Sequence, residues 1–214
     1  MTGTGLRLIT YDRRLGARFV AGADEAGRGS LAGPLVAAAV LLDYDALRGR
    51  RAASLSVLND SKQLEPDERE ALFHQVLRIA AGVAVEVVSP GEIDRAGLHR
   101  SNLRALAAAL RRFDGRAQAF LVDGFRLGPA APPHRAIVDG DTKSAAIAAA
   151  SIVAKVVRDR TMRRLDALYP AFGFASHVGY ITPAHSAVVR ERGPCALHRR
   201  SFNALCYAGD EGDR

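Results

Sequence analysis

The chain has 214 residues, 48% of them hydrophobic, enough for one well-cored domain with a small appended lobe. Its 30 Lys and Arg outweigh 23 Asp and Glu, for a formal net charge of +7. Two cysteines, Cys195 and Cys206, exclude a disulfide framework, and no apolar run is long and uncharged enough to span a membrane. Met1 to Leu6 carries no signal-peptide pattern, so the expected location is the cytoplasm. The positive excess gathers between Lys155 and Arg200, where nine cations meet only Asp159, Asp166 and Glu191. Such a basic flank suits a polyanionic substrate, although an Ala- and Arg-rich composition alone could also produce it.

Met1 to Arg14 reads as a weakly ordered end. Arg18 to Ala23 reads as a strand, and the apolar run Pro34 to Leu42 as its partner in a central hairpin. Asp24 and Glu25 follow the first strand directly. Neighbouring side chains on a regular strand point to opposite faces, so a shared site predicts that the strand ends or distorts there. Arg48 to Ser56 reads as loop. Glu65-Pro66-Asp67-Glu68 opens a helix, with Pro and acids in the first turn. Val83 to Val88 is a third strand, and Ser89 to Phe113 a second helix. Ala117 to Val122 is a buried strand ending at Asp123-Gly124, where α/β sheets place their ligands. Arg135 to Val138 is a short strand before Asp139-Gly140-Asp141. Thr142 to Leu168 is a long helix with an alanine-rich front, and Pro183 to Arg192 a short one. The order predicts an α/β protein with a mixed central sheet flanked by helices. Residues 1–168 would form the catalytic domain, and 169–214 a small C-terminal helical lobe and tail that contacts substrate.

Four carboxylates stand at chain breaks: Asp24, Glu25, Asp123 and Asp141. Taken singly, Asp141 could equally cap the long helix, and Asp123 could be a turn residue. An adjacent Asp-Glu pair inside an apolar run is harder to explain by structure, because buried anions need compensating charge. Oxygen ligands without Cys or a His pair suit Mg²⁺ or Mn²⁺. Two such ions about 4 Å apart stabilise the attacking and leaving oxygens of a phosphoryl displacement. Gly27-Arg28-Gly29 beside the pair would let backbone approach a ligand closely.

These segments carry a resemblance. Gly22-Ala23-Asp24-Glu25-Ala26-Gly27-Arg28-Gly29-Ser30-Leu31-Ala32-Gly33-Pro34 is similar to the opening signature of ribonuclease HII, the type 2 ribonuclease H family. Asp60-Ser61-Lys62-Gln63-Leu64, Val122-Asp123-Gly124, Gly140-Asp141-Thr142-Lys143-Ser144 and the helix Ala148 to Asp159 resemble its later motifs in the same order. The resemblance implies an RNase H-like fold and hydrolysis of the RNA strand of RNA–DNA hybrids. It also implies incision 5′ to single ribonucleotides embedded in duplex DNA, leaving 3′-hydroxyl and 5′-phosphate. By motif position, Asp24, Glu25, Asp123 and Asp141 would be the catalytic acids and metal ligands. Gly27, Arg28 and Gly29 would read the 2′-hydroxyl by their backbone, Tyr180 would stack near the sugar at the DNA–RNA junction, and Lys62 would contact a phosphate.

Two departures stand out, the first bearing on phosphate grip and loop geometry, the second expected to cost little. The family usually carries His-Lys-Gly-Tyr-Gly-Thr where this chain has His177-Val178-Gly179-Tyr180-Ile181-Thr182, and Ser30 stands where proline is commoner. Asp159 lies roughly 27 Å beyond Asp141 along a regular helix, which makes it a supporting acid. His177 and His185 have no acids beside them and are not read as ligands. The chain is expected to act as a monomer on RNA–DNA hybrid and ribonucleotide-containing DNA, with Mn²⁺ or Mg²⁺ as cofactor. The rival reading is a non-catalytic hybrid-binding module, against which the full set of four acids speaks.

Overall fold

The computed structural model describes residues 4–58 and 64–207. Its centre is the hairpin of β1 (Phe19–Ala26) and β2 (Leu35–Asp43), paired antiparallel from Phe19 opposite Asp43 to Ala26 opposite Val36. β3 (Gly82–Val88) extends the sheet antiparallel to β2. On the other side β4 (Ala119–Asp123) runs parallel to β1, and β5 (Arg135–Ile137) parallel to β4. The strand order is β3-β2-β1-β4-β5. β2 lies between β1 and β3 with helices over both faces, which is why its sequence is an unbroken apolar run rather than an alternating one.

α5 (Leu98–Arg111) covers one face and α6 (Ala145–Asp166) the other. The alanine-rich front of α6 lets its backbone lie almost on β1. A Cβ added at Gly22 would stand 2.2 Å from the carbonyl carbon of Ala146, so only glycine fits beneath the helix. Ser144 caps α6, its hydroxyl accepting from the Ile147 N–H. Asp141 is therefore not the cap; it sits in a single 3₁₀ turn, Gly140–Thr142.

Four elements differ from the sequence expectations. The N-terminal end is ordered as α1 (Thr4–Arg13), anchored by buried Asp12, which accepts from the Tyr44 hydroxyl and from the Ala146 N–H at 3.0 Å. Residues 48–56 contain a short helix, α2 (Arg50–Ser54). The second long helix is broken into α4 (Pro90–Ala96) and α5 by Gly97, whose φ of 83° no helical residue adopts. β1 does not end or distort at Asp24-Glu25 but keeps its pairing to Ala26. α3 (Pro66–Ile79) begins as expected, at a capping box between Glu65 and Glu68.

The C-terminal part holds α7 (Phe174–His177) and α8 (Pro183–Arg192). It packs in small apolar clusters against Leu31, Ala32 and Met162. Backbone bonds stitch it to the turn after β1: Ala32 N–H to Gly179, Gly33 N–H to Leu197, and Arg199 N–H to Leu31.

Candidate active site

The parallel partner β4 pairs with β1 only as far as Ala23 opposite Val122. Beyond that point β1 continues alone on this side, and the gap opens into a cleft of about 670 Å³ lined by Asp24, Glu25, Gly27, Arg28, Gly29 and Asp123. This explains how a regular strand serves one site with adjacent residues. Asp24 and Glu25 do point to opposite faces, but past the end of β4 both faces border the same opening.

Asp24 is 6% exposed; it accepts from the Glu25 N–H at 2.7 Å and from the Ser151 hydroxyl of α6. Burial, then the charges of Glu25 and Asp123, push its carboxyl well above the usual carboxylate range. The cleft thus crowds three carboxylates together, with Arg28, Arg69 and Lys155 also on its walls. Asp123 ends β4, and its Oδ1 accepts from the Gly140 N–H at 2.6 Å. A Cβ at Gly140 would meet Ile147 Cδ1 at 2.6 Å and that same carboxylate oxygen at 3.2 Å, so a side chain there would crowd the Asp123 carboxylate and displace the end of Ile147.

Of the four predicted acids, Asp24, Glu25 and Asp123 line the cleft, and Asp141 does not. It is buried in the adjoining 3₁₀ turn, one residue beyond the Gly140 amide that holds Asp123. Asp139, in left-handed conformation at φ 52°, faces the cleft instead. Among the described residues, no three His, Cys, Asp or Glu side chains are gathered closely enough to hold an ion as they stand. Lys62 lies outside the described residues.

Two arginines with no exposed surface support the segment from Gly27 to Pro34, Arg199 by a bond at Arg28 and Arg158 by packing against Gly27 and by bonds further along. Arg158 donates to the carbonyls of Pro34 (3.0 Å), Ala32 (3.1 Å) and Val178 (2.9 Å). Arg199 donates to the carbonyls of Gly33 (3.1 Å) and Arg28 (3.0 Å). Desolvation, then the neighbouring Arg158 charge, lowers the Arg199 guanidinium to about 9. Gly27, at φ 87°, lies so close that a Cβ would fall 1.9 Å from Arg158 Nε. Arg28 stacks over the Phe125 ring at 4.4 Å, and Tyr180 lies beside Lys155 Nζ (5.1 Å) and Arg158 (5.3 Å).

Sequence reasoning missed Arg69, Phe125, Asp139 and Lys155 as cleft residues. Only Lys155 carried a signal, one helical turn from Ser151 on the small face of α6. Asp159 is a supporting acid, bonded to Lys155 at 3.0 Å and 4.0 Å from Arg69. Of the two changed residues in the 177–182 segment, Val178 falls where the backbone is left-handed, a conformation that strains a β-branched residue, and Ile181 falls where it is not. Val178 takes φ 43° and contributes its carbonyl to Arg158, and Ile181 is exposed with a φ that any residue adopts. Ser30 is fully buried, and its Oγ has no hydrogen-bond partner among the described residues.

A five-stranded mixed sheet flanked by helices, with acids at adjacent strand ends, is the RNase H-like fold. Ribonuclease H2 of Pyrococcus horikoshii superposes with a TM-score of 0.71 at 28% identity, covering 86% of this chain and 94% of that one. RNase HII of Archaeoglobus fulgidus, solved in a PCNA complex, gives 0.72 at 28% identity, covering 87% and 96%. Among curated proteins, Ribonuclease HII of Geobacillus kaustophilus is 45% identical over 198 residues, 91% of this chain and 73% of its own. That of Sinorhizobium fredii is 49% identical over 193 residues, 90% and 80%. The Ribonuclease HII family model matches residues 21–205. The chain belongs to the ribonuclease HII family, endonucleases that cleave the RNA of RNA–DNA hybrids.

Proposed function

We propose that this chain incises duplex DNA 5′ to single embedded ribonucleotides as well as cutting hybrid RNA, leaving 3′-hydroxyl and 5′-phosphate ends. The observation that carries this is the meeting of Asp24, Glu25 and Asp123 with the Gly27–Gly29 turn and Tyr180 in one cleft. The charge crowding around Asp24 suits Mg²⁺ or Mn²⁺, with Asp24, Glu25 and Asp123 of the cleft and Asp141 of the adjoining turn as the oxygen donors that an ion would have to gather. When bound, such ions neutralise the attacking and leaving oxygens of the scissile phosphate. Among the chain's own groups, the backbone of Gly27 and Gly29 reads the 2′-hydroxyl, the feature that separates RNA from DNA at one nucleotide. Tyr180 packs against the sugar. Arg28, braced on Phe125, meets phosphate together with Lys155 and Lys62. Residues 169–214 act as the substrate-contacting lobe, and the chain works as a monomer in the cytoplasm.

The test is product mapping on a DNA duplex bearing one ribonucleotide, with Mg²⁺ and Mn²⁺ supplied separately. Asp24→Asn is expected to lower incision by about 10²–10³-fold, the scale of losing one preorganised electrostatic group. Undiminished incision would overturn the assignment. Asp123→Asn should still bind the duplex, because phosphate contacts dominate affinity; a folded variant that fails to bind counts against it.

A further inference from the structure

Behind Tyr180 runs a chain of hydrogen bonds whose direction is fixed at both ends. The Cys195 N–H donates to His198 Nδ1 at 3.0 Å, and the Cys195 thiol lies 3.2 Å from the same nitrogen. His198 Nδ1 is therefore an acceptor, and the ring proton sits on Nε2. His198 Nε2 lies 3.0 Å from His185 Nε2. At the far end His185 Nδ1 lies 2.9 Å from the carbonyl oxygen of Tyr180, which only accepts. His185 thus carries its proton on Nδ1 and receives the His198 proton at Nε2. Every polar atom along the path has one consistent role. Both rings are buried, at 0% and 2% exposure, and His177 stacks on His185 with centroids 4.2 Å apart.

His177 is fixed in the same way. Its Nδ1 accepts from the Gly179 N–H at 3.2 Å, and its Nε2 donates to Phe172 at 2.8 Å. The Tyr180 N–H in turn donates to the His177 carbonyl at 2.9 Å. The backbone of Tyr180 is pinned on both sides, its amide by His177 and its carbonyl by His185. The Tyr180 ring is the part that faces the cleft.

We propose that His185 and His198 are positioning residues for substrate recognition, holding the Tyr180 backbone so that its ring stands at a fixed place over the ribonucleotide sugar. The inference rests on the proposed role of Tyr180. Neither histidine lines the cleft, so the effect of the His185 side chain on substrate passes through the Tyr180 backbone that it holds. It therefore falls on substrate affinity rather than on the chemical step.

A double-mutant cycle tests this on the single-ribonucleotide duplex, with thermal melting of each variant as a fold control. His185→Leu is expected to raise KM about tenfold, the upper end of a lost hydrogen bond, with kcat changed less than about twofold. His185→Asn, whose amide N–H can take the place of Nδ1–H, should recover most of that affinity. In a Tyr180→Ala background His185→Leu should add nothing further. An equal rise in KM with and without Tyr180 would overturn the proposal, because a general loss of packing is indifferent to the tyrosine. Imidazole ¹⁵N shifts of the unmutated protein decide the matter even if His185→Leu does not fold. They should show His198 protonated at Nε2 and His185 at Nδ1, and the opposite tautomers refute the relay. If the unmutated chain fails to incise the duplex at all, the proposed function fails instead, and the tautomers remain to be read.

Discussion

Replacing Gly27 by alanine tests how the reading loop is supported. The added Cβ would fall 1.9 Å from Arg158 Nε and 2.4 Å from its Cδ, at a φ of 87° that side chains avoid. The backbone conformation alone costs about 1–2 kcal/mol. Arg158 has no room to yield, being fully buried and bonded to three carbonyls. Displacing it from even one of these adds about 1.5–3 kcal/mol, the scale of a buried hydrogen bond to a charged group. The sum is about 2.5–5 kcal/mol, a large part of the 5–15 kcal/mol that holds a typical domain. At about 2–4 °C per kcal/mol for a chain of this size, Tm should fall by roughly 10 °C. Circular dichroism melts give the stability, and incision kinetics at a temperature where the variant is folded give KM, which should rise. Gly29→Ala is the control for stability, since a Cβ there meets nothing within 4 Å. A Gly27→Ala protein melting within about 2 °C of the original, with unchanged KM, would refute the idea that Arg158 braces the turn.

Asp24→Asn should stabilise the metal-free protein while destroying activity. The folded chain holds the Asp24 carboxyl above its usual range, by burial first and then by Glu25 and Asp123, so its anion opposes folding at neutral pH, and the amide removes that opposition. A lower Tm for the variant in chelator would contradict this. Mn²⁺ or Mg²⁺ should raise the Tm of the unmutated protein more than that of the variant. The buried imidazoles give a second pH effect. His198 is lowered to about 4 by burial first, then by the adjacent His185, and His177 and Arg200 act in the same direction. The unfolded chain takes up these protons from about pH 6.5, so this contribution to stability is full above that value. It declines as the pH falls towards 4. Melts across that range should show a shallower slope in His198→Gln, and equal slopes would refute the assignment. Ser30→Ala should leave Tm unchanged or raise it by a few degrees, because it removes a buried hydroxyl without a partner among the described residues. A clear loss of stability would reveal a bond that this geometry lacks.

The central hairpin, the α6 face and α8 were legible because each is written in local chemistry: apolar runs of strand length, small residues in helical register, and proline at a first turn. The cleft acids were legible because charge inside an apolar run has few structural explanations. The sequence misled where local rules met tertiary context. Adjacent carboxylates forbid a shared site on a strand with neighbours on both sides, but β4 stops at Asp123 and lifts that restriction. Gly97, inside the span read as one helix from Ser89 to Phe113, is a full break. Arg69 and Phe125 come to the cleft from α3 and the loop after β4, which no local pattern announces. Arg158 and Arg199 read as part of a basic exterior, yet they are buried on carbonyl oxygens more than 120 positions away.

Those distant carbonyls impose an order of events on synthesis. The sheet strands and α6 are all in hand by Asp166, whereas the turn after β1 also needs Gly179, Leu197 and Arg199. A nascent chain still tethered at its last few dozen residues would have its strands and α6 in hand and yet lack the bonds that fix the turn after β1.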